Sequence, residues 1–151
     1  MSKEHSKGMS LIVKTVTRLT VGLIFLYGIY IISHGHVSPG GGFAGGVIIA
    51  LSFIHLMLAY GKEEAFKRLS LARASFFESF GALLFLGVGL LGFIGGYFFL
   101  NVLPKGEHFR LFSAGIIPVC NLAISFKVGA GLFLIFAVLV MYKFVSEEDK
   151  R

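Results

Sequence analysis

His34-Gly35-His36-Val37-Ser38-Pro39-Gly40-Gly41-Gly42-Phe43-Ala44-Gly45-Gly46 is the one long interruption in the first half of an otherwise apolar chain. Its chemistry sets how the two flanking segments meet. Pro39 cannot continue a helix from Ile32, and three consecutive glycines allow backbone angles closed to other residues, so the stretch reads as a helix-to-helix corner at a membrane surface. Beyond it, Gly41/Gly45 and Gly42/Gly46 are each spaced four apart, and Ala50 extends the second row. Small residues at that spacing let another helix approach closely in lipid.

Two other chemistries can be weighed against the corner. A glycine-rich loop before a helix can cradle a phosphate, but the Lys-Ser/Thr ending is missing and no strand pattern precedes the glycines. His34 and His36 could join Glu107 and His108 in an outer metal site; His-x-His is a weak signal on its own, and neither a metal nor a cofactor is expected. A glycine corner flanked by surface histidines is the expectation.

Composition agrees with a membrane setting. With 151 residues, 56% of them hydrophobic, and 20 glycines, the chain lies outside the soluble globular range and is expected to form one small all-α membrane domain. The lone Cys120 excludes an internal disulfide and is read as a small buried residue. A formal net charge of +6 would suit nucleic acid, yet the basic residues are spread over short connections between apolar runs and form no basic domain.

Four spans are expected, at about residues 11–33, 43–60, 74–100 and 118–144. The first could be mistaken for a signal peptide, but no small-x-small cleavage site follows it and a second apolar run begins soon after. Between the second and third spans, Gly61–Arg73 is rich in both charges, with a surface helix expected in Glu63–Leu69. The later connection, Asn101–Asn121, has an apolar middle, Leu111–Ile117, that can dip into the bilayer edge.

Orientation follows from Lys and Arg. Lys3, Lys7, Lys14, Arg18, Lys62, Lys67, Arg68, Arg73, Lys143, Lys150 and Arg151 fall on one side, against only Lys105 and Arg110 on the other. The positive side is cytoplasmic. Both termini are therefore expected in the cytoplasm and the glycine corner outside.

Ionisable residues inside spans are costly and mark functional candidates, here Lys127, Glu78 and His55. Counted from Lys143, Lys127 lies about 24 Å above the cytoplasmic edge; counted from Arg73, Glu78 lies only about 8 Å from it. That bookkeeping separates the two vertically by about 15 Å, beyond hydrogen-bond reach, and leaves Lys127 without a carboxylate at its level. Lys127 then suits either a group that exchanges a proton or gates a cation, or an assembly pair with a neighbouring subunit. Glu78 and His55, at similar depth, are expected to be able to meet.

His36-Val37-Ser38-Pro39-Gly40-Gly41-Gly42-Phe43-Ala44-Gly45-Gly46 resembles the G-H-x-x-P-G-G-G-F-x-G-G pattern in the MnhB-type subunits of Mrp/Mnh multisubunit sodium/proton antiporters. Glu78-Ser79-Phe80-Gly81-Ala82, Phe98-Phe99-Leu100-Asn101-Val102-Leu103-Pro104, Phe112-Ser113-Ala114-Gly115 and Val128-Gly129-Ala130-Gly131 extend the likeness from Thr15 to about Phe144. The resemblance implies functional weight for His36, Pro39, Gly41, Gly42, Phe43, Gly45 and Gly46. It also implies membrane subunits as partners, with Na+ and H+ as the ions in play. Related subunits occur in the antiporter-like modules of archaeal membrane-bound hydrogenases and sulfur-reducing complexes. Family members carry an acidic residue near the position where this chain has Phe126-Lys127-Val128-Gly129, so a sodium-ligand role does not transfer to Lys127.

The expected function is that of an accessory subunit in the plasma membrane of a prokaryote. Such a subunit has no catalytic activity of its own, although its host can be an ion-translocating oxidoreductase complex. A self-sufficient, homo-oligomeric carrier or channel is the alternative from another class.

Overall fold

The computed structural model describes residues 9–106 and 113–148. Lys3 and Lys7, the stretch holding Glu107, His108, Arg110 and Leu111, and Lys150 and Arg151 lie outside the described residues. The elements are α1 (Leu11–Ser33), α2 (Gly41–Tyr60), the short α3 (Lys62–Arg68), α4 (Leu71–Leu91) with a 3-10 turn over Gly92–Gly95, and α5 (Ile117–Glu148). No strand occurs among the described residues. α1, α2, α4 with its 3-10 extension, and α5 are each long and apolar enough to cross a membrane.

Local chemistry explains the ends. The corner between α1 and α2 turns through Gly40 (φ +136°) and Gly41 (φ +65°), left-handed angles that a side chain resists. In α3, Glu63 and Glu64 occupy the first turn and Lys67 and Arg68 the last, the arrangement that complements the helix dipole. Ser70 caps α4 by accepting from the Arg73 N–H at 3.4 Å.

The third helix departs from the sequence reading. It ends at Leu91 and its 3-10 extension at Gly95, whereas apolarity alone carried the span to about Leu100. Gly96 adopts φ +103° and the chain doubles back, so that the Phe99 N–H donates to the Gly89 carbonyl at 3.1 Å. A Cβ at Gly89 would lie 2.8 Å from the Phe98 ring, and one at Gly92 would lie 2.6 Å from the Phe99 nitrogen. The Gly92/Gly96 spacing therefore accommodates the chain's own reversal rather than a second helix.

The four long helices stand in a row, α1–α2–α5–α4. α1 packs on α2, α2 on α5, and α5 on α4, while α1 touches α5 only lightly. α2 and α5 run parallel, as the pairings of Gly42 with Asn121, Gly46 with Ser125 and Phe53 with Phe133 require. α4 is antiparallel to α5, with Gly81 against Ala123 and Lys127. At the α3 end, Met57, Ala65, Ala74, Phe133 and Ala137 form a buried cluster. Phe133, fully buried, meets Phe53 and Phe66 edge-on at 6.0 and 6.5 Å, contacts worth about 0.5–1.5 kcal/mol each.

A row of helices has two broad faces. Leu19, Leu23 and Leu26 on α1, Leu83 on α4, and Ile135 and Leu139 on α5 are all exposed. In water such surface would be untenable; in lipid, or against other membrane proteins, it costs little.

Candidate functional site

The glycine corner places its two rows of small residues against two different helices. Gly42 and Gly46 face α5: a Cβ on Gly42 would run into the Asn121 carbonyl, and one on Gly46 would lie 3.0 Å from the Ser125 carbonyl. α5 answers with Gly129, where a Cβ would lie 3.2 Å from the Gly46 carbonyl. Gly45 faces α1, with Ile32 against it and the Gly28 carbonyl 2.9 Å from a Cβ placed there. Gly41 sits beside Gly35 and Asn121. Both rows are thus occupied within the chain, which lets backbones approach where any side chain would hold them apart.

Asn121 joins the corner to α5. Its Oδ1 accepts from the Gly42 N–H at 3.3 Å, satisfying one donor of the first turn of α2. Sequence reading took Asn121 only as the edge of a span; a lone amide entering an apolar run, level with a glycine corner, was the available signal. Pro39 and Phe43 stay exposed, Phe43 by 64%.

His36 is half-buried and lines a cavity of about 560 Å³ beside the glycine corner, together with Asn101, Lys105 and Ser113. His34 turns away, stacking on Tyr30 at 4.2 Å between ring centres and bonding to the Tyr30 carbonyl through Nδ1. Among the described residues no three His, Cys, Asp or Glu side chains converge as a metal site would require.

The charges inside the spans give the largest correction. Lys127 Nζ donates to Glu78 Oε1 at 2.7 Å, where a 15 Å separation was expected. Arg73 and Lys143, the loop charges from which the two depths are counted, do not lie at one level. Ala74 packs in the same buried cluster as Phe133, and Lys143 lies ten residues further on, about 15 Å of helix beyond that level. From the shared level, Glu78 is about 6 Å along α4 and Lys127 about 9 Å along α5, within reach of a lysine side chain. Phe77 and Phe80 pack on Phe126 beside the pair, with ring centres 5.6 and 6.2 Å apart.

His55 does not meet Glu78 in this arrangement. Its Nε2 is hydrogen-bonded at 3.0 Å to Oγ1 of Thr17, a buried hydroxyl of α1 that sequence reading passed over. One turn nearer the α3 end, the Tyr60 hydroxyl donates to the Lys14 carbonyl at 2.9 Å. His55 and Tyr60 therefore tie α2 to α1, while Glu78 and Lys127 tie α4 to α5.

Comparison with known proteins reaches the same architecture from outside. Residues 12–134 match the family described as a domain related to the MnhB subunit of Na+/H+ antiporter. An uncharacterised protein of Methanocaldococcus jannaschii is 35% identical over 144 residues, covering 85% of this chain. The chain spans only 53% of that relative's length. Against the B-type Na+/H+ antiporter subunit of Bacillus subtilis it is 32% identical, and the match covers 96% of this chain and 99% of that one. Among solved structures, a chain of the membrane-bound sulfane sulfur reductase, an archaeal respiratory membrane complex, superimposes with a TM-score of 0.76 at 31% identity. That superposition covers 91% of this chain and 63% of the other.

Proposed function

The chain belongs to the family of domains related to the MnhB subunit of Na+/H+ antiporters, and from that premise we propose that it is an accessory membrane subunit of a multisubunit cation/proton antiporter module. The module is either free-standing or built into a respiratory complex. The observation that carries this reading is the near end-to-end match to the Bacillus subtilis antiporter subunit. The row of helices supports it, because a single layer with two exposed faces encloses no pathway alone and is suited to lie between other membrane subunits. That shape also disfavours a self-sufficient carrier built from one copy.

In this role the corner and its seams hold the chain in one shape so that neighbours can pack on it. Both termini lie in the cytoplasm, as the distribution of Lys and Arg supports. The host module exchanges Na+ and H+, and the subunit contributes no catalysis. Purification from native membranes tests the proposal: other membrane subunits should co-purify with this chain, and the chain alone in liposomes should conduct nothing. Recovery as a homo-oligomer that conducts by itself would refute it. Orientation is tested by cysteines at Val37 and Lys67 in a Cys120→Ser background, which should react with an impermeant reagent from outside and inside respectively.

One observation favours a second role for the same subunit, that of lining part of an ion path. The Glu78–Lys127 pair lies within two membrane-length helices, yet its side chains remain 32% and 50% exposed respectively. A partly open ammonium–carboxylate pair presents a charge-neutral dipole that a passing cation or proton can polarise. Flux through the assembled complex separates the roles: Lys127→Arg keeps the charge and the pairing, and lost flux with intact assembly assigns the pair to the path.

A further inference from the structure

Glu78 and Lys127 satisfy each other only in part. The pair uses one carboxylate oxygen and one ammonium proton, at 2.7 Å, and half of the lysine side chain is uncovered. Both residues lie in helices long and apolar enough to cross a membrane. Lipid tails offer no hydrogen bonds, so polar groups left open on a membrane-spanning helix call for a polar neighbour.

The surroundings say what shape of neighbour fits. On α4, Ser75 and Ala82 lie three and four residues from Glu78 on one face, and Ser79, four from Ser75 and three from Ala82, widens that row of short side chains; all three are exposed. On α5, Gly131 lies one turn past Lys127, and a Cβ placed there would sit 3.9 Å from Glu78 Oε1. The ion pair is thus flanked by short side chains on both helices, so a backbone can come close to it. Charge narrows the choice further. The pair is neutral in sum, and adding an ionised residue would leave a net charge away from water, whereas a hydroxyl or amide can both donate and accept.

We propose that the face around Glu78 and Lys127 is the docking site for a transmembrane helix of another subunit. That helix presents Ser, Thr, Asn or Gln, with small neighbours, at the level of the pair. This inference rests on the chain being a subunit of a larger complex, and it adds which surface is covered and by what chemistry. The carboxylate and ammonium are then bridged by the partner's uncharged polar group, and the short side chains of α4 set how closely the two helices lie.

The test uses the native complex, with a photo-activatable amino acid placed at Ser79 and, separately, at Ser75. The expected result is a cross-link to one other subunit, mapped by mass spectrometry to an apolar segment of membrane length bearing a hydroxyl or amide residue. Ser79→Phe should strip that subunit from the purified complex while the remaining subunits stay with this chain, and Ser79→Ala should retain it. Adducts with lipid only, with a second copy of this chain, or with a segment carrying an ionised residue at that level would overturn the proposal. Absence of any co-purifying subunit would instead refute the proposed function itself, before the docking surface is reached.

Discussion

Two seams meet on α5, and they are built in opposite ways. On the α2 side the helices run parallel and their backbones nearly touch, through Gly42, Gly46 and Gly129, with Asn121 bonded to the Gly42 N–H. On the α4 side they run antiparallel, with Gly81 against Ala123, aromatic rings around it, and an ion pair left partly uncovered. The first seam is closed by backbone contact within the chain, with the Asn121 Nδ2 buried and without a hydrogen-bond partner among the described residues; the second leaves two charged side chains partly uncovered. Inside a lipid environment, apolar exposure carries no penalty that could reveal an interface, whereas open polar groups do. The contrast explains why glycines mark the internal scaffold here and charges mark the outward-looking surface.

The strongest way to break that contrast is to fill the first seam. Gly42→Leu and Gly46→Leu each force a side chain into the α5 backbone and should cost about 3 kcal/mol or more, enough to lose the folded chain. Fluorescence-detected size-exclusion chromatography in detergent should show collapse of the monodisperse peak for both. Ala44→Ser, on the less crowded side of α2, should leave the peak unchanged. A normal peak for both leucine variants would mean that the two backbones are not in contact.

A cost of about 3–5 kcal/mol in the assembled complex is expected for Lys127→Met where the proposed partner helix covers the pair, because Glu78 is then buried without its ammonium. Removing both charges with Lys127→Met and Glu78→Gln should recover most of that loss, since no unpaired charge remains. Blue-native gels of Lys127→Met, Glu78→Gln and the double variant report assembly. A loss in the double variant equal to the sum of the two single losses would show that the two residues act independently, which a 2.7 Å contact forbids.

Replacing Phe133 tests the buried cluster that brings α4 and α5 into register. Phe133→Ala should cost about 3 kcal/mol, near the lower end for a buried aromatic because the exposed end of the row can relax. If the register depends on this cluster, the variant should also lower the yield of a cross-link formed by a short bis-maleimide between cysteines introduced at positions 78 and 127. An undiminished yield would place control of the register elsewhere.

The smallest effect belongs to the α1–α2 tie. Thr17→Val keeps the shape but removes the hydroxyl bonded to His55, and should cost about 1 kcal/mol. A lower melting temperature of the detergent-solubilised chain should register it, without loss of assembly.

Much of this protein can be read along one helix at a time. Apolar length and the breaks at Pro39 and the glycines locate four spans, and the four-residue spacing of Gly42 and Gly46 announces a close helix contact, because each is a property of neighbouring residues. Which helix would fill that contact was not legible: α5 lies some eighty residues further on, and nothing local distinguishes it from a partner subunit. The end of α4 was hidden for a similar reason, since Phe98, Phe99 and Leu100 are equally apolar whether the chain continues or doubles back over Gly89.

The Glu78–Lys127 pair marks the boundary most sharply. Its members were recognisable as charges inside spans, but their separation depends on the register between two antiparallel helices. That register is decided where Ala74, Phe133 and their neighbours pack, not by the distance of either residue from the nearest loop charge. Helical rise converts sequence into depth only along a single axis; a shift of about ten residues between axes moves side chains by about 15 Å, enough to turn two apparently isolated charges into a bonded pair.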